Sequence, residues 1–331
     1  MISMKKKNVP VFFVFAVAAI AMWVFLSDPF STLSRADRKI PLEDHESITC
    51  IVLIRGNDTL ILSFREEGIW AVNQRYEAGL ERVKRLLGWL QRLDIQAPVS
   101  RPENELSDSL PFYPFRLKLF EGKRKIRDLY IQTGSADETR FLVKGAGRRQ
   151  WFLAESYGMD VKPDDLLTTC PISWRSHTLF RLNPADIRCV ELTYPAEPGA
   201  SFRLGYHPDE GFTLRNHAGE PVNAFNRKRA GRYLSYFMNI RFESFPDSEE
   251  RRVADSLKNT GTLPVFRLCV ETTDGTNHKT EYYPVPKQTS NGTYVPDPYR
   301  LYGYWPEHDE YFRIRYLDID PVLKRMNYFL E

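Results

Sequence analysis

The densest group of residues that can bind a ligand lies near the end of the chain, between Tyr294 and Tyr316. Its predicted binding residues are Tyr294, Tyr299, Tyr302, Tyr304, Trp305 and Tyr311. Aromatic rings stack on sugars, and the carboxylates interspersed here accept hydrogen bonds from hydroxyls, so the pattern suggests a glycan-binding surface. The same rings are typical anchors for a protein partner. Ordinary packing in a tyrosine-rich sheet is the third interpretation and the favoured one.

The histidines and glycine-rich stretches carry no recognisable catalytic spacing. No histidine pair has the H-x-x-x-H or H-E-x-x-H form, and neither a G-x-S-x-G elbow nor a phosphate-binding loop occurs in the sequence. His207 and His217 flank a predicted turn and are interpreted as exposed loop residues. The glycines within Lys144–Arg149 predict a hairpin turn. We therefore predict no catalytic residues, no cofactor and no enzyme activity, and an unrecognised hydrolase is the least favoured alternative.

Paired charges are interpreted as helix ends. Asp164–Asp165 and Glu249–Glu250 are predicted to begin helices, where acidic residues oppose the helix dipole. Asp318 and Asp320 precede Pro321 and are assigned to helix capping in preference to a cation site. The basic run Arg227–Arg229 is assigned to a solvated helix start. The sequence predicts no metal site.

The four cysteines are Cys50, Cys170, Cys189 and Cys269. None forms a C-x-x-C pair, which argues against structural zinc. Three of them lie in apolar, strand-like runs, so buried free thiols are favoured. Disulfides remain the alternative in an exported domain, and their pairing is open.

The N-terminal segment predicts a membrane anchor. Lys5–Lys7 precede Val9–Leu26, a run without a charged residue. As a helix it spans about 27 Å, close to a hydrocarbon core of about 30 Å. The lysines predict a cytoplasmic N-terminus and a single pass through the inner membrane, with the bulk of the chain in the periplasm. The alternative is a cleaved signal peptide, but the small-residue triplet Ala19–Ala21 lies inside the apolar run.

Composition limits the remaining possibilities. The formal net charge is +3 with acidic and basic residues mixed throughout, so the chain has no overall field that favours nucleic acid. Aromatic residues make up 13% of the chain and favour strands. The length beyond the anchor suits two domains.

The two halves of the chain share one pattern of elements. Three matches occur in the same order: Ile48–Leu53 with Ile187–Leu192, the apolar helix stripe Leu87–Ile95 with Leu234–Phe242, and the hairpin start Phe115–Leu117 with Phe266–Leu268. We predict an α+β protein with two similar units, each a mainly antiparallel sheet with an amphipathic helix on one face. The predicted boundaries are an anchor at 1–26, a linker at 27–46, a first unit at 47–160, a linker at 161–182 and a second unit at 183–331. A closing helix is expected over Pro321–Leu330.

The first unit resembles a known family. The shared features are Trp70-Ala71-Val72, a helix with the apolar residues Val83, Leu86, Leu87, Leu90 and Leu93, and a hairpin with Leu117, Leu119 and Gly122. The chain is similar over about Ile48–Ser156, and more faintly in the second unit, to a membrane-anchored bacterial envelope family of unknown function. The second unit, with its Tyr- and Pro-rich tail, resembles the Bacteroidetes branch of that family. Ser109–Tyr113 departs from the family, which commonly has a Tyr-Gly-Leu type segment there. The resemblance implies an auxiliary role beside gliding-type ABC transporter components and supplies no catalytic residues.

The anchor, the repeated pattern and the missing catalytic set together predict a membrane-anchored, periplasmic, non-enzymatic binding or adaptor protein. Its expected partner is a protein of the envelope, such as a transporter subunit. The alternative is an envelope glycan-binding module that uses the aromatic residues of 294–316.

Overall fold

The structure is a computed structural model that describes residues 40, 42, 44, 46–65, 68–99, 113–133, 139–159 and 161–330. Its sheets are mainly antiparallel and are accompanied by helices, which confirms the α+β class. The chain divides into two compact units between Ser176 and His177. The predicted anchor, residues 9–26, lies outside the described residues. Among the described residues, no helix is both long and apolar enough to cross a membrane.

The described residues of the first unit form nine strands and two helices. Its strands are β1 (Cys50–Arg55), β2 (Asp58–Phe64), β3 (Trp70–Val72), β4 (Tyr76–Glu77), β5 (Leu93–Val99), β6 (Phe115–Glu121), β7 (Arg124–Gln132), β8 (Phe141–Gly145) and β9 (Trp151–Ser156). Its helices are α1 (Leu80–Gln91) and α2 (Pro163–Leu166). The strands form one sheet in the order β4-β3-β2-β1-β6-β7-β8-β9-β5.

Helix α1 packs on one face of this sheet because apolar residues recur at helical spacing along it. Val83 and Trp89 are fully buried and share a core with Leu53 and Leu117 of the sheet. The ring of Trp89 lies 4.8 Å from that of Phe141. Since side chains alternate along a strand, the residues between the core positions point to the opposite face, where they stay half-exposed.

The segment 161–182, predicted as a linker, is shared between the two units. Leu166 and Trp174 are buried in the core of the first unit. The indole of Trp174 donates to the carbonyl of Thr168 at 2.9 Å, and its own carbonyl accepts from the amide of Gly79 at 2.8 Å. Pro163 and Pro171 begin short helical turns, for which the fixed φ of proline is suited.

The second unit contains nine strands and four helices. Its strands are β10 (Thr178–Phe180), β11 (Ile187–Thr193), β12 (Phe202–His207), β13 (Gly211–Asn216), β14 (Ile240–Arg241), β15 (Phe266–Thr272), β16 (Asn277–Gln288), β17 (Tyr294–Trp305) and β18 (Glu310–Arg315). Its helices are α3 (Arg227–Ser235), α4 (Ser248–Asn259), α5 (Tyr316–Ile319) and α6 (Asn327–Leu330). The main sheet has the order β13-β12-β11-β15-β16-β17-β18, and β10 pairs with β14.

One face of the second sheet is covered by α3 and the C-terminal segment. Tyr233 of α3 is fully buried and its hydroxyl donates to the carbonyl of Val322 at 2.9 Å. The ring of Phe329 lies 4.7 Å from that of Phe202. The predicted closing helix over Pro321–Leu330 is not continuous: a 3-10 turn at Asp320–Val322 is followed by the separate, short α6.

Helix α4 covers part of the other face of the second sheet. Its N-terminus has a capping box in which the side chain of Asp247 accepts from the amide of Glu250 and Glu250 accepts from the amide of Asp247. Ala254 of α4 is buried in a small cluster with four tyrosines of β16, β17 and β18. Helices begin at Glu249–Glu250, at Asp164–Asp165 and at Arg227–Arg229, which confirms these three predictions.

Candidate functional site

The six aromatic residues predicted as a binding surface do not share one surface, which corrects that prediction. Tyr302, Tyr304 and Tyr311 are 3%, 6% and 3% exposed and lie in the cluster beneath α4. Trp305 is half-buried against Phe312 of the main core, with ring centroids 4.8 Å apart. Tyr294 and Tyr299 are 66% and 68% exposed. The packing interpretation therefore explains four of the six residues.

Two of the buried tyrosines, Tyr304 and Tyr283, donate hydrogen bonds within the protein. The hydroxyl of Tyr304 donates to Asp309 Oδ1 at 3.0 Å, and that of Tyr283 donates to Glu281 Oε2 at 2.7 Å. Lys258 Nζ lies 3.6 Å from the ring centroid of Tyr304, a cation–π contact between α4 and the sheet. Burial raises the pKa of Tyr283, so its phenol stays protonated at neutral pH. Of these contacts, the one from Lys258 joins α4 to the sheet, and the two hydrogen bonds lie within the sheet and its turn.

Tyr294 and Tyr299 both lie on β17, in the part where β16 and β17 form a projecting ribbon. β16 pairs with β15 only as far as Tyr282, and β18 pairs with β17 only from Arg300 onward. Pro286 and Pro296 face each other in the ribbon. Proline has no backbone N–H, which makes this ribbon a poor template for the addition of another strand.

The half-exposed face of the first sheet carries a row of alternating cations and aromatic rings. Arg116 lies opposite Tyr130, and Tyr130 lies opposite Lys144 on the next strand. Arg116 Cζ and Lys144 Nζ each lie 5.3 Å from the ring centroid of Tyr130, and Lys144 Nζ lies 4.6 Å from the ring centroid of Trp151. These four residues are here named the cation–aromatic row. These distances between a cation and a ring centroid are typical of cation–π pairs.

The carboxylate of Asp128 lies beside this row. Asp128 Oδ1 accepts from Arg116 Nε at 2.9 Å, and its Oδ2 accepts from Lys125 Nζ at 2.7 Å. Burial, the largest single influence, raises the pKa of Asp128, but the hydrogen bonds from the two cations outweigh it and the net pKa lies below the usual value. Residues 113–159 contain ten Lys and Arg against five Asp and Glu, so the hairpins of this face are basic.

Replacing Asp128 with asparagine is expected to reduce the free energy of unfolding at pH 7 by about 1 kcal/mol, because the variant loses charge-assisted hydrogen bonds that are partly solvated. Because the pKa of Asp128 is lower in the folded than in the unfolded protein, its ionised carboxylate stabilises the fold at any pH above the unfolded-state pKa. This stabilisation is lost as the pH falls through the folded-state pKa. The difference between wild type and Asp128→Asn should therefore shrink in acid below pH 3.8, the usual value. Urea denaturation across pH 2–7 measures it.

Glu121→Gln on the same hairpin is the matched control, because Glu121 is exposed and should give little difference at any pH. A stability difference for Asp128→Asn that is the same in acid and at neutral pH would contradict the assignment.

The second unit has a cavity of about 380 Å³ on the strands β11, β12 and β13. Its floor is a cross-strand row in which Glu191 lies opposite Arg203 and Arg203 lies opposite Arg215. Tyr194 and His217 line the cavity beside this row. The cavity is thus a polar site with two guanidinium groups and one carboxylate on its floor.

The two arginines of the floor differ in their partners. Arg203 Nη1 lies 3.5 Å from Glu191 Oε2, and its Nη2 lies 4.0 Å from Glu271 Oε2. Arg215 Nη1 donates to the carbonyl of Gly219 at 2.8 Å. Within the described part of the chain, Arg215 has no carboxylate partner. Among the residues that line the cavity, the two guanidinium groups of Arg203 and Arg215 face the one carboxylate of Glu191.

The four cysteines and His177 lie outside the cation–aromatic row and outside the lining of the cavity. All four cysteines are free thiols, and burial raises the pKa of Cys50, Cys189 and Cys269, so these thiols are protonated at neutral pH. The ring of His177 stacks on Phe242 at 5.0 Å. Across the described ranges, no group of three or more His, Cys, Asp or Glu side chains is arranged to hold a metal ion.

The cation–aromatic row and the cavity floor were both missed by sequence reasoning. Each consists of residues on neighbouring strands that meet only once the strands are in register. The local signal was the alternation in β6 and β7, which assigns Arg116 and Tyr130 to the face opposite the core. That signal does not say which residues lie opposite each other.

Comparisons of the chain with known protein families, curated proteins and solved structures find no match. The resemblance to a bacterial envelope family, and the transporter-associated role that it implies, therefore stay predictions.

Proposed function

We propose that the chain is a non-enzymatic binding protein, held at the inner membrane by residues 9–26, that docks an acidic envelope protein on the open sheet face of its first unit. The cation–aromatic row is the observation that carries this proposal. Its cations are present in excess over Asp128, and its rings are half-exposed.

The chemistry of the row suits a protein partner. Arginine and aromatic side chains are enriched at protein interfaces and at their energetic centres. Arg116 and Lys144 already contact the rings of Tyr130 and Trp151, so these side chains lose little conformational freedom when a partner docks. An acidic partner would supply carboxylates for Lys144 and for the cations that Asp128 does not neutralise. A surplus of positive charge also speeds the encounter with such a partner.

The arrangement of strands supports a duplicated architecture. In the first unit β1, β2 and β3 precede α1, and the order of the central strands is β3-β2-β1-β6-β7-β8-β9. In the second unit β11, β12 and β13 precede α3, and the order is β13-β12-β11-β15-β16-β17-β18. The same succession in both units is expected if one α+β unit was copied.

The test is a crosslinking pull-down of the full-length protein from its own membranes, with mass spectrometry of the recovered proteins. In the double variant Arg116→Gln/Lys144→Gln, recovery of the partner should fall about tenfold, since each lost charge-assisted contact costs about 1 kcal/mol or more.

The matched control is Lys84→Gln/Arg85→Gln, which removes the same charge from exposed positions of α1 in the same unit. Thermal unfolding of both variants checks that the fold is intact. Equal recovery from wild type and the Arg116/Lys144 variant, or no reproducible partner at all, would refute the proposed docking face.

A further inference from the structure

We infer that the cavity on β11, β12 and β13 binds a small organic anion, whose carboxylate or phosphate lies between the guanidinium groups of Arg203 and Arg215. This site lies in the second unit and is independent of the docking face proposed for the first.

The placement of the two arginines is the first argument. Arg203 and Arg215 occupy directly opposed positions on β12 and β13. Like charges at such positions destabilise a sheet. Glu191, on the far side of Arg203, offsets one of the two charges and lies on the strand that does not adjoin Arg215. A bound anion between the two guanidinium groups would offset the other.

Both arginines are held in position before any ligand arrives. Arg203 is held by Glu191 and Glu271, and Arg215 is held by the carbonyl of Gly219. Asn216 shapes the loop that presents this carbonyl, because its Oδ1 accepts from the amides of residues 218 and 220, both at 3.0 Å. Guanidinium groups that are already fixed lose little freedom on binding, and planar donors of this kind match carboxylate and phosphate oxygens.

The walls of the cavity indicate that the ligand is more than a simple ion. Tyr194, Pro195, Pro198 and Phe202 supply apolar surface beside the polar floor. A volume of about 380 Å³ lies in the range of small-molecule sites, about 300–1,000 Å³. Glu191 can accept a hydrogen bond from a ligand hydroxyl or ammonium group. The site therefore fits a compact anion with a carbon skeleton and a hydrogen-bond donor.

The test is isothermal titration calorimetry of the full-length protein, at constant ionic strength, with three probes. Inorganic phosphate represents a phosphate group, citrate represents a hydroxylated carboxylate, and glucose is the neutral comparison. Saturable binding of phosphate or citrate, and none of glucose, is expected; the better of the two anions identifies the anionic group. Failure of both anions to bind would overturn the inference.

Variants connect that binding to the cavity. Arg215→Gln should weaken binding of the better probe about tenfold or more, as expected for the loss of a charge-assisted contact. Glu191→Gln should strengthen phosphate binding, because it removes a negative charge from the floor. The control variant is Arg267→Gln, which should bind the probe as wild type does. Arg267 lies on the same sheet but outside the cavity, where it pairs with Glu281 at 3.1 Å. Unchanged binding in Arg215→Gln, or equal losses in Arg215→Gln and Arg267→Gln, would overturn the inference.

Discussion

Replacing Gly303 with alanine is expected to destabilise the second unit by about 3 kcal/mol, the cost of severe overpacking in a rigid core. Gly303 on β17 lies directly opposite Phe312 on β18, and the ring of Phe312 occupies the space where a β-carbon would stand. Phe312 cannot move aside easily, because it is fully buried against Phe242, Tyr282 and Trp305. Glycine is therefore required at position 303 because the ring of Phe312 leaves no space for a side chain. The backbone conformation does not require it, since the φ angle of Gly303 is not positive.

Gly205→Ala is the matched control, in the same sheet and with the same added methyl group. Its β-carbon would lie 2.6 Å from Thr213 Oγ1, but Thr213 is an exposed residue on the edge strand β13 and its hydroxyl can rotate away. A cost below about 1 kcal/mol is expected for this variant. Urea denaturation gives both free energies, and hydrogen exchange of β17 and β18 locates the damage. Equal costs for the two variants would show that the ring of Phe312 does not exclude a side chain.

The contrast between these glycines shows which parts of the fold can be predicted from sequence. The helix α1 and the hairpin at Gly122 depend on neighbouring residues, and the spacing of those residues predicts both, although the helix ends at Gln91 and Leu93 begins β5. The partner of Gly303 depends on how β17 and β18 pair. Strand pairing is a property of the whole sheet, and no local sequence pattern predicts it.

The aromatic residues of 294–316 illustrate the same limit at the predicted site. Alternation along β17 places Tyr302 and Tyr304 on one face, but whether that face is covered depends on α4. Helix α4 is charged and contributes Ala254 as its fully buried residue, so its sequence shows only a weak apolar stripe. The tyrosines cover the sheet beneath the helix and supply the apolar surface that α4 lacks. A surface predicted from side-chain types alone could not include this effect.

Replacing Trp174 with alanine is expected to cost the first unit about 3–5 kcal/mol, the usual loss for a large buried aromatic residue. Trp174 is fully buried, and its indole N–H is bonded to the carbonyl of Thr168. The guanidinium of Arg82 lies over its ring at 4.8 Å. The substitution would leave a cavity and remove both polar contacts. Loss of cooperative unfolding, with faster hydrogen exchange in α1, is the expected observation.

This prediction also decides the role of the segment 161–176, which sequence patterns assign to a linker. Ile172 lies on the same 3-10 turn as Trp174 and is 42% exposed, so Ile172→Ala should change the free energy of unfolding by less than about 0.5 kcal/mol. In a linker, both substitutions would be mild and protease cleavage within 161–176 would leave the first unit folded. In a structural segment, only Trp174→Ala is severe, and cleavage here unfolds the first unit because its core has lost Leu166 and Trp174. The prolines that suggest a domain boundary would then be the starts of helical turns that complete a core.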